Sequence, residues 1–177
     1  MKYNIDVLKQ QNIAYSWGTL YVGLELGVID HSHLTHYAIE YLEMFPDVED
    51  ANILELAWGS EEINYKRVLI EILEEFNMEE LLEEGDKFEY ETRKWRYGIL
   101  ESLKKAYRDD GSAFLEAVAE VYADFQYPRE LESFIYYLPS SDDKYRPEEH
   151  SAEENSNRLV SDLKHFLDNE KEYFKNS

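Results

Sequence analysis

Apolar residues return every third or fourth position along most of this chain, and no stretch alternates apolar with polar residues as a strand would. Trp17, Leu20, Tyr21 and Leu24 make one such stripe, and Leu34, Tyr37, Ala38, Tyr41, Leu42 and Phe45 a second. Trp95, Ile99, Leu100, Leu103 and Tyr107 make a third. A period near 3.6 gathers each set on one side of a helix. Only seven Gly and four Pro punctuate the 177 residues. The pattern predicts an all-α single domain, 1–177, of about eight helices with no significant sheet. It leaves room for a sub-division into a helical body, 1–110, and a shorter helical segment, 111–177.

The ends of the helices are signalled locally. Asp30 and Asp50 are N-cap residues in front of apolar runs, and Ser60 followed by Glu61 and Glu62 reads as a further start. Asn77 with Glu80 three positions on resembles a capping box for a brief turn, and Pro128 suits a first helical position. Ser151-Ala152-Glu153-Glu154 is a capping box for a final helix carrying Leu159, Val160, Leu163, Phe166, Leu167 and Phe174. Gly23-x-x-x-Gly27 reads as a close helix contact followed by a C-cap, and Ser140 to His150 as a polar loop.

The charge constrains the partners. Eighteen Lys and Arg against 39 Asp and Glu leave −21, yet 15% aromatic residues are enough for a core, so the chain is not disordered. The phosphate field of nucleic acid or an anionic membrane would repel such a surface, which points to a basic protein partner, no nucleic acid and no membrane. Zero Cys excludes disulfides, thiolate catalysis and Cys-based zinc sites. Met1-Lys2-Tyr3-Asn4-Ile5-Asp6 runs into polar sequence without an apolar leader, and no apolar run reaches the roughly 20 residues of a membrane span, so the chain reads as soluble and cytoplasmic. No Lys or Arg occurs between Gln11 and Tyr65, and 71–91 is densely acidic. Arg93, Lys94, Arg96, Lys104, Lys105 and Arg108 follow, and are expected to neutralise that acidic stretch within the fold.

Two constellations carry chemistry. His31-x-His33-x-x-His36 with Glu40 is the metal-like one. On a helix His33 and His36 share a face, as do His36 and Glu40, whereas His31 points about 200° away from His33. The plainer reading is a histidine-rich first turn beside an Asp cap, and no cofactor is expected. Nucleophile elbows, phosphate loops and nucleophile partners for His150 and His165 are missing from the sequence, so no enzyme is expected. The second constellation is Tyr127-Pro128-Arg129-Glu130-Leu131-Glu132-Ser133-Phe134-Ile135-Tyr136-Tyr137-Leu138-Pro139, trailed by Asp142 and Asp143. A helix of one or two turns cannot bury four aromatics. Tyr136 and Tyr137 would stand about 100° apart on it, leaving at least one in solvent among Glu130, Glu132, Asp142 and Asp143. Amphipathic rings inside an acidic rim are the composition of a hot spot for a cationic protein.

Phe134-Ile135-Tyr136-Tyr137-Leu138-Pro139 with Asp142-Asp143, followed by the capped helix containing Leu159-Val160-Ser161-Asp162-Leu163-Lys164, resembles the latter half of the immunity proteins for DNase-type colicins and pyocins. Ser112-Ala113-Phe114-Leu115-Glu116-Ala117-Val118 is loosely similar to an early helix of those proteins. Leu138 is extra between the tyrosines and Pro139, Ser133 stands where that family commonly has Asp, and residues 1–110 have no counterpart in it. More broadly the chain resembles acidic helical immunity-like proteins found beside polymorphic bacterial toxins. The resemblance implies stoichiometric inhibition of a basic toxin, a nuclease in that family, with no chemistry performed by this chain. Tyr136, Tyr137, Glu130, Glu132, Asp142 and Asp143 would form the interface. Two other readings stay open: an acidic nucleic-acid mimic that inhibits a DNA-binding protein, and an enzyme using His33, His36 and Glu40 with a metal.

Overall fold

The computed structural model describes residues 3–60, 62–140, 142 and 144–175, and all their regular structure is helical. The chain divides into two units, Met1–Trp95 and Arg96–Ser177. The first holds α1 (Asp6–Lys9), α2 (Trp17–Glu25), α3 (Ser32–Met44), α4 (Ala51–Trp58), α5 (Tyr65–Glu75) and a 3₁₀ turn over Glu79–Leu82. The division falls inside α6 (Asp86–Ala106). The second unit continues with α7 (Gly111–Asp124), 3₁₀ turns over Arg129–Phe134 and Pro147–Glu149, and α8 (Ala152–Lys175). Among the described residues no strand occurs, and no helix is long and apolar enough to cross a membrane.

In the first unit the predicted stripes close on one another. Leu20, Leu34, Ile53, Leu56, Leu69 and Ile72 are fully buried, with the Trp17 and Trp95 rings among them. Trp17 meets Tyr37 edge-on at 4.6 Å between centroids. Trp95 donates its indole N–H to the Thr19 carbonyl at 2.8 Å, which draws the ring over Gly23. A Cβ on Gly23 would stand 2.7 Å from Trp95 Cζ2, so the glycine does mark a close helix contact. Alanine gains about 1 kcal/mol over glycine in an exposed helix. At Gly23 the sign should reverse: overpacking a rigid, hydrogen-bonded indole costs about 1–3 kcal/mol, to be read as an earlier urea midpoint for Gly23→Ala.

Four helices end by the same device. Asn12, Gly27, Asn77 and Gln126 take φ of 55°, 69°, 55° and 60°. The next residue then donates five positions back: Ile13 to Leu8 at 3.1 Å, Val28 to Gly23 at 2.9 Å, Met78 to Leu73 at 2.7 Å and Tyr127 to Tyr122 at 2.8 Å. Each such bond satisfies a carbonyl left over at the helix end. Gly27 thus stops α2 as its sequence position predicts. Asn77 corrects the sequence reading: it closes α5 in the left-handed region and does not cap the following turn, whose N-cap is Met78 without a side-chain bond.

Other starts match or shift. Asp50 accepts from Ile53 N at 2.8 Å, and Ser151 and Glu154 form the reciprocal box, Ser151 N to Glu154 Oε2 at 2.8 Å and Glu154 N to Ser151 Oγ at 3.2 Å. Ser60 does not open α5. Its Oγ accepts from Glu62 N at 3.2 Å in a local turn, and Asn64 is the cap, accepting from Arg67 N at 3.1 Å. Pro128 is likewise outside the turn it precedes, extended at ψ 129° as the cap residue. The basic residues of α6 find close partners: Lys94 pairs with Glu91 at 2.8 Å, Lys104 with Glu101, and Arg96 with Glu130. For these cations neutralisation is achieved within a helix turn or by Glu130, at the start of the 3₁₀ turn, so the pairing is more local than the charge blocks suggested.

Candidate partner-binding surface

The aromatic segment of the second unit is anchored from beneath. Leu131, Phe134 and Ile135 are buried, and the Phe134 ring packs on Phe166 of α8 at 5.3 Å. The 3₁₀ turn stops at Phe134. Ile135 is extended, at φ −86° and ψ 111°, and the chain then bends, Leu138 N donating to Ile135 O at 3.0 Å. Tyr136 and Tyr137 therefore lie on a bend and not on a helix. Both rings are exposed, 54% and 56%, and meet edge to face at 5.2 Å and 84°.

A third exposed tyrosine stands at the start of the same segment. Tyr127, 61% exposed, follows the end of α7 with φ 64°, a conformation that a bulky side chain rarely adopts. Its ring lies edge-on to Tyr122 at 5.2 Å. Burial, followed by the influence of Glu132, Tyr137 and Tyr127, pushes the Tyr122 hydroxyl up from its ordinary value. The result is a ledge in which Tyr127, Glu132, Tyr136 and Tyr137 are exposed on one short segment whose Leu131, Phe134 and Ile135 are buried. Tyr127 belongs to it although only Tyr136 and Tyr137 stood out in sequence. The signal that could have found it is the helix end at Phe125, which turns the next residues outward.

The predicted acidic rim is rearranged. Glu130 stays exposed but gives its carboxylate to the buried Arg96 guanidinium, and Glu132 is exposed two residues on. Asp142 is exposed but organises its own loop, accepting from Lys144 N at 2.9 Å. Asp143 lies outside the described residues.

The histidine cluster is placed differently from a ligand set. His31 stacks on Tyr65 at 4.9 Å, and His33 Nδ1 sits 3.2 Å from the Asp30 carbonyl. His33, His36 and Glu40 do line one hollow of about 450 Å³ with Lys9 and Asp6. Glu40, however, accepts from the Tyr15 hydroxyl at 2.6 Å and from Lys9 Nζ at 2.9 Å. The Tyr15 bond, then Lys9, holds its carboxyl below the usual range against the opposing effect of burial. Among the described residues no three His, Asp or Glu groups could hold a metal ion. A lowered folded pKa adds stability above the unfolded value, lost as pH falls through the folded one. Tyr15→Phe should therefore raise the Glu40 titration midpoint in carboxyl NMR and shrink that acid-dependent contribution.

Another feature went unnoticed in the sequence. Trp58 is 87% exposed at the end of α4, with Leu54 four residues before it and Ile39 and Met44 of α3 also exposed. The spacing held the clue, because Leu54 and Trp58 fall about 150° from the core positions Ile53 and Leu56.

Residues 5–171 match a family model described as an uncharacterized protein conserved in bacteria (DUF2247). No curated protein and no solved structure matches the chain.

Proposed function

We propose that this chain, which belongs to the bacterial family DUF2247, is a non-enzymatic immunity-type protein that binds and neutralises a basic protein toxin. The observation that carries the reading is the ledge of exposed Tyr127, Tyr136 and Tyr137, with exposed Glu132, on a segment whose apolar residues are buried. Tyrosines bring large rigid contact area at low entropic cost, and they are enriched where binding energy concentrates. The −21 of the whole chain speeds encounter with a cation, and the exposed carboxylate of Glu132 helps to set register. The Tyr-Tyr stretch also supplies the resemblance to nuclease immunity proteins, which makes a nuclease the toxin of choice. Nucleic-acid mimicry would instead spread the energy over an acidic face, and it has no use for a compact ring cluster.

The test places a photo-crosslinking residue at position 136 and recovers the covalent partner from the native bacterium. The expected partner is a basic protein that arrests growth when expressed alone, with growth restored when this chain is co-expressed. A captured protein that is harmless alone, or toxicity that this chain does not relieve, overturns the proposal.

A further inference from the structure

We propose that a hollow of about 350 Å³ bordered by the end of α6, the start of α7 and the middle of α8 binds a small amphipathic anion, an aryl-sized apolar body bearing a phosphate or carboxylate. It is independent of the toxin-binding reading. The α7 helix separates it from the tyrosine ledge, since Gly111 borders the hollow and Tyr122 lies towards the other end, about 16 Å along the helix at 1.5 Å per residue.

The charge of the lining runs against the charge of the chain. Lys104, Lys105, Arg108 and Lys164 line it, with Asp168 the acid among its lining residues. Lys104 and Lys105 are in the last turn of α6, where cations answer the negative end of the helix dipole. That reason does not extend to Lys164, which sits in the middle of α8 and borders the same hollow. Four cations beside one hollow give it a local positive potential that the chain as a whole lacks. Lys104 is drawn by Glu101 and Arg108 by Asp109, but neither acid lines the hollow.

The ligand class follows from the other residues. Tyr107, Phe114 and Val160 supply an apolar wall, and Gly111 keeps it open: a Cβ there would press to 3.3 Å from Val160 Cγ2. A bare inorganic anion would use the cations alone and still face the repulsion of a −21 protein. An apolar body uses both features, and the volume falls within the roughly 300–1,000 Å³ of ligand clefts.

The probes are 1-naphthyl phosphate, 1-naphthol and inorganic phosphate, each titrated calorimetrically into the whole chain. Naphthyl phosphate should bind saturably, one per chain, and at least about tenfold more tightly than either other probe. Arg108→Ala with Lys164→Ala, both on exposed side chains, should weaken it by roughly tenfold or more, while Asp168→Asn, which removes the acid, should tighten it. A gain of affinity cannot come from misfolding, so that variant keeps the test decisive. Absence of saturable binding, naphthol binding as tightly as its phosphate, or indifference of affinity to all these substitutions overturns the proposal.

Discussion

Replacing Glu91 with alanine should remove about 3–5 kcal/mol from the stability of the first unit, the largest single-residue effect expected outside its apolar core. Glu91 and Lys94 are both nearly sealed from solvent, and the carboxylate serves two partners. It accepts from the Thr19 hydroxyl at 2.7 Å and pairs with Lys94 Nζ at 2.8 Å. Thr19 Oγ1 in turn accepts from Ser16 N at 3.0 Å, so the network reaches the cap of α2. Truncation strands a buried ammonium and a buried hydroxyl, and that stranding accounts for the cost more than any strength in the pair itself. The double variant Glu91→Met with Lys94→Met removes both charges and should recover most of the loss. All three tryptophans fall in the first unit, so indole fluorescence during urea unfolding reports on that unit. If the double variant is as unstable as Glu91→Ala, the stranded-charge account is wrong.

The largest functional effect is expected at Tyr137. Its removal from the ledge should cost about 2 kcal/mol of partner affinity or more, roughly a thirtyfold rise in Kd, mostly through faster dissociation. The ring is more than half exposed and sits over, not inside, the apolar base, so the helical circular-dichroism signal of Tyr137→Ala should match the parent. Glu132→Gln probes the other half of the proposal. A rim charge acts on encounter, so this variant should slow association and flatten its salt dependence while leaving dissociation nearly unchanged. Energy spread evenly over many acids, with Tyr137→Ala binding as the parent does, would instead favour mimicry of nucleic acid. The proposal thus predicts a division of labour between rings and acids that surface-plasmon kinetics can separate.

Trp58 is a useful contrast. Its ring is more exposed than any tyrosine of the ledge, and it lies in the stretch from Gln11 to Tyr65 that has no Lys or Arg. The proposal for the ledge does not require it, so Trp58→Ala, measured beside Tyr137→Ala, shows whether the first unit contributes to the same complex.

Helical period and cap chemistry are properties of a few consecutive residues, so they could be read without neighbours. The all-α class, the inward faces of α2, α3 and α6 up to their last turns (Phe45 and Tyr107, predicted inward, lie just past α3 and α6 and are exposed), the stop at Gly27, the cap at Asp50 and the Ser151–Glu154 box all follow from that local information. So did the solvent exposure of at least one of the paired tyrosines, because so short an element has too little inner face. Ser60 and Asn77 went the other way although their residue types were right: which of several competent residues caps a helix depends on where the neighbouring chain must go. Only packing across elements settled the rest. Glu91 and Lys94 look in sequence like any charged helix pair, yet α2 covers them and supplies Thr19. Nothing local to Glu130 announces that Arg96 pairs with it, and Tyr127 is exposed where the α7 terminus turns the chain. A side chain's chemistry is written in the chain, but whether water, a counter-charge or a ring faces it is decided by residues tens of positions away.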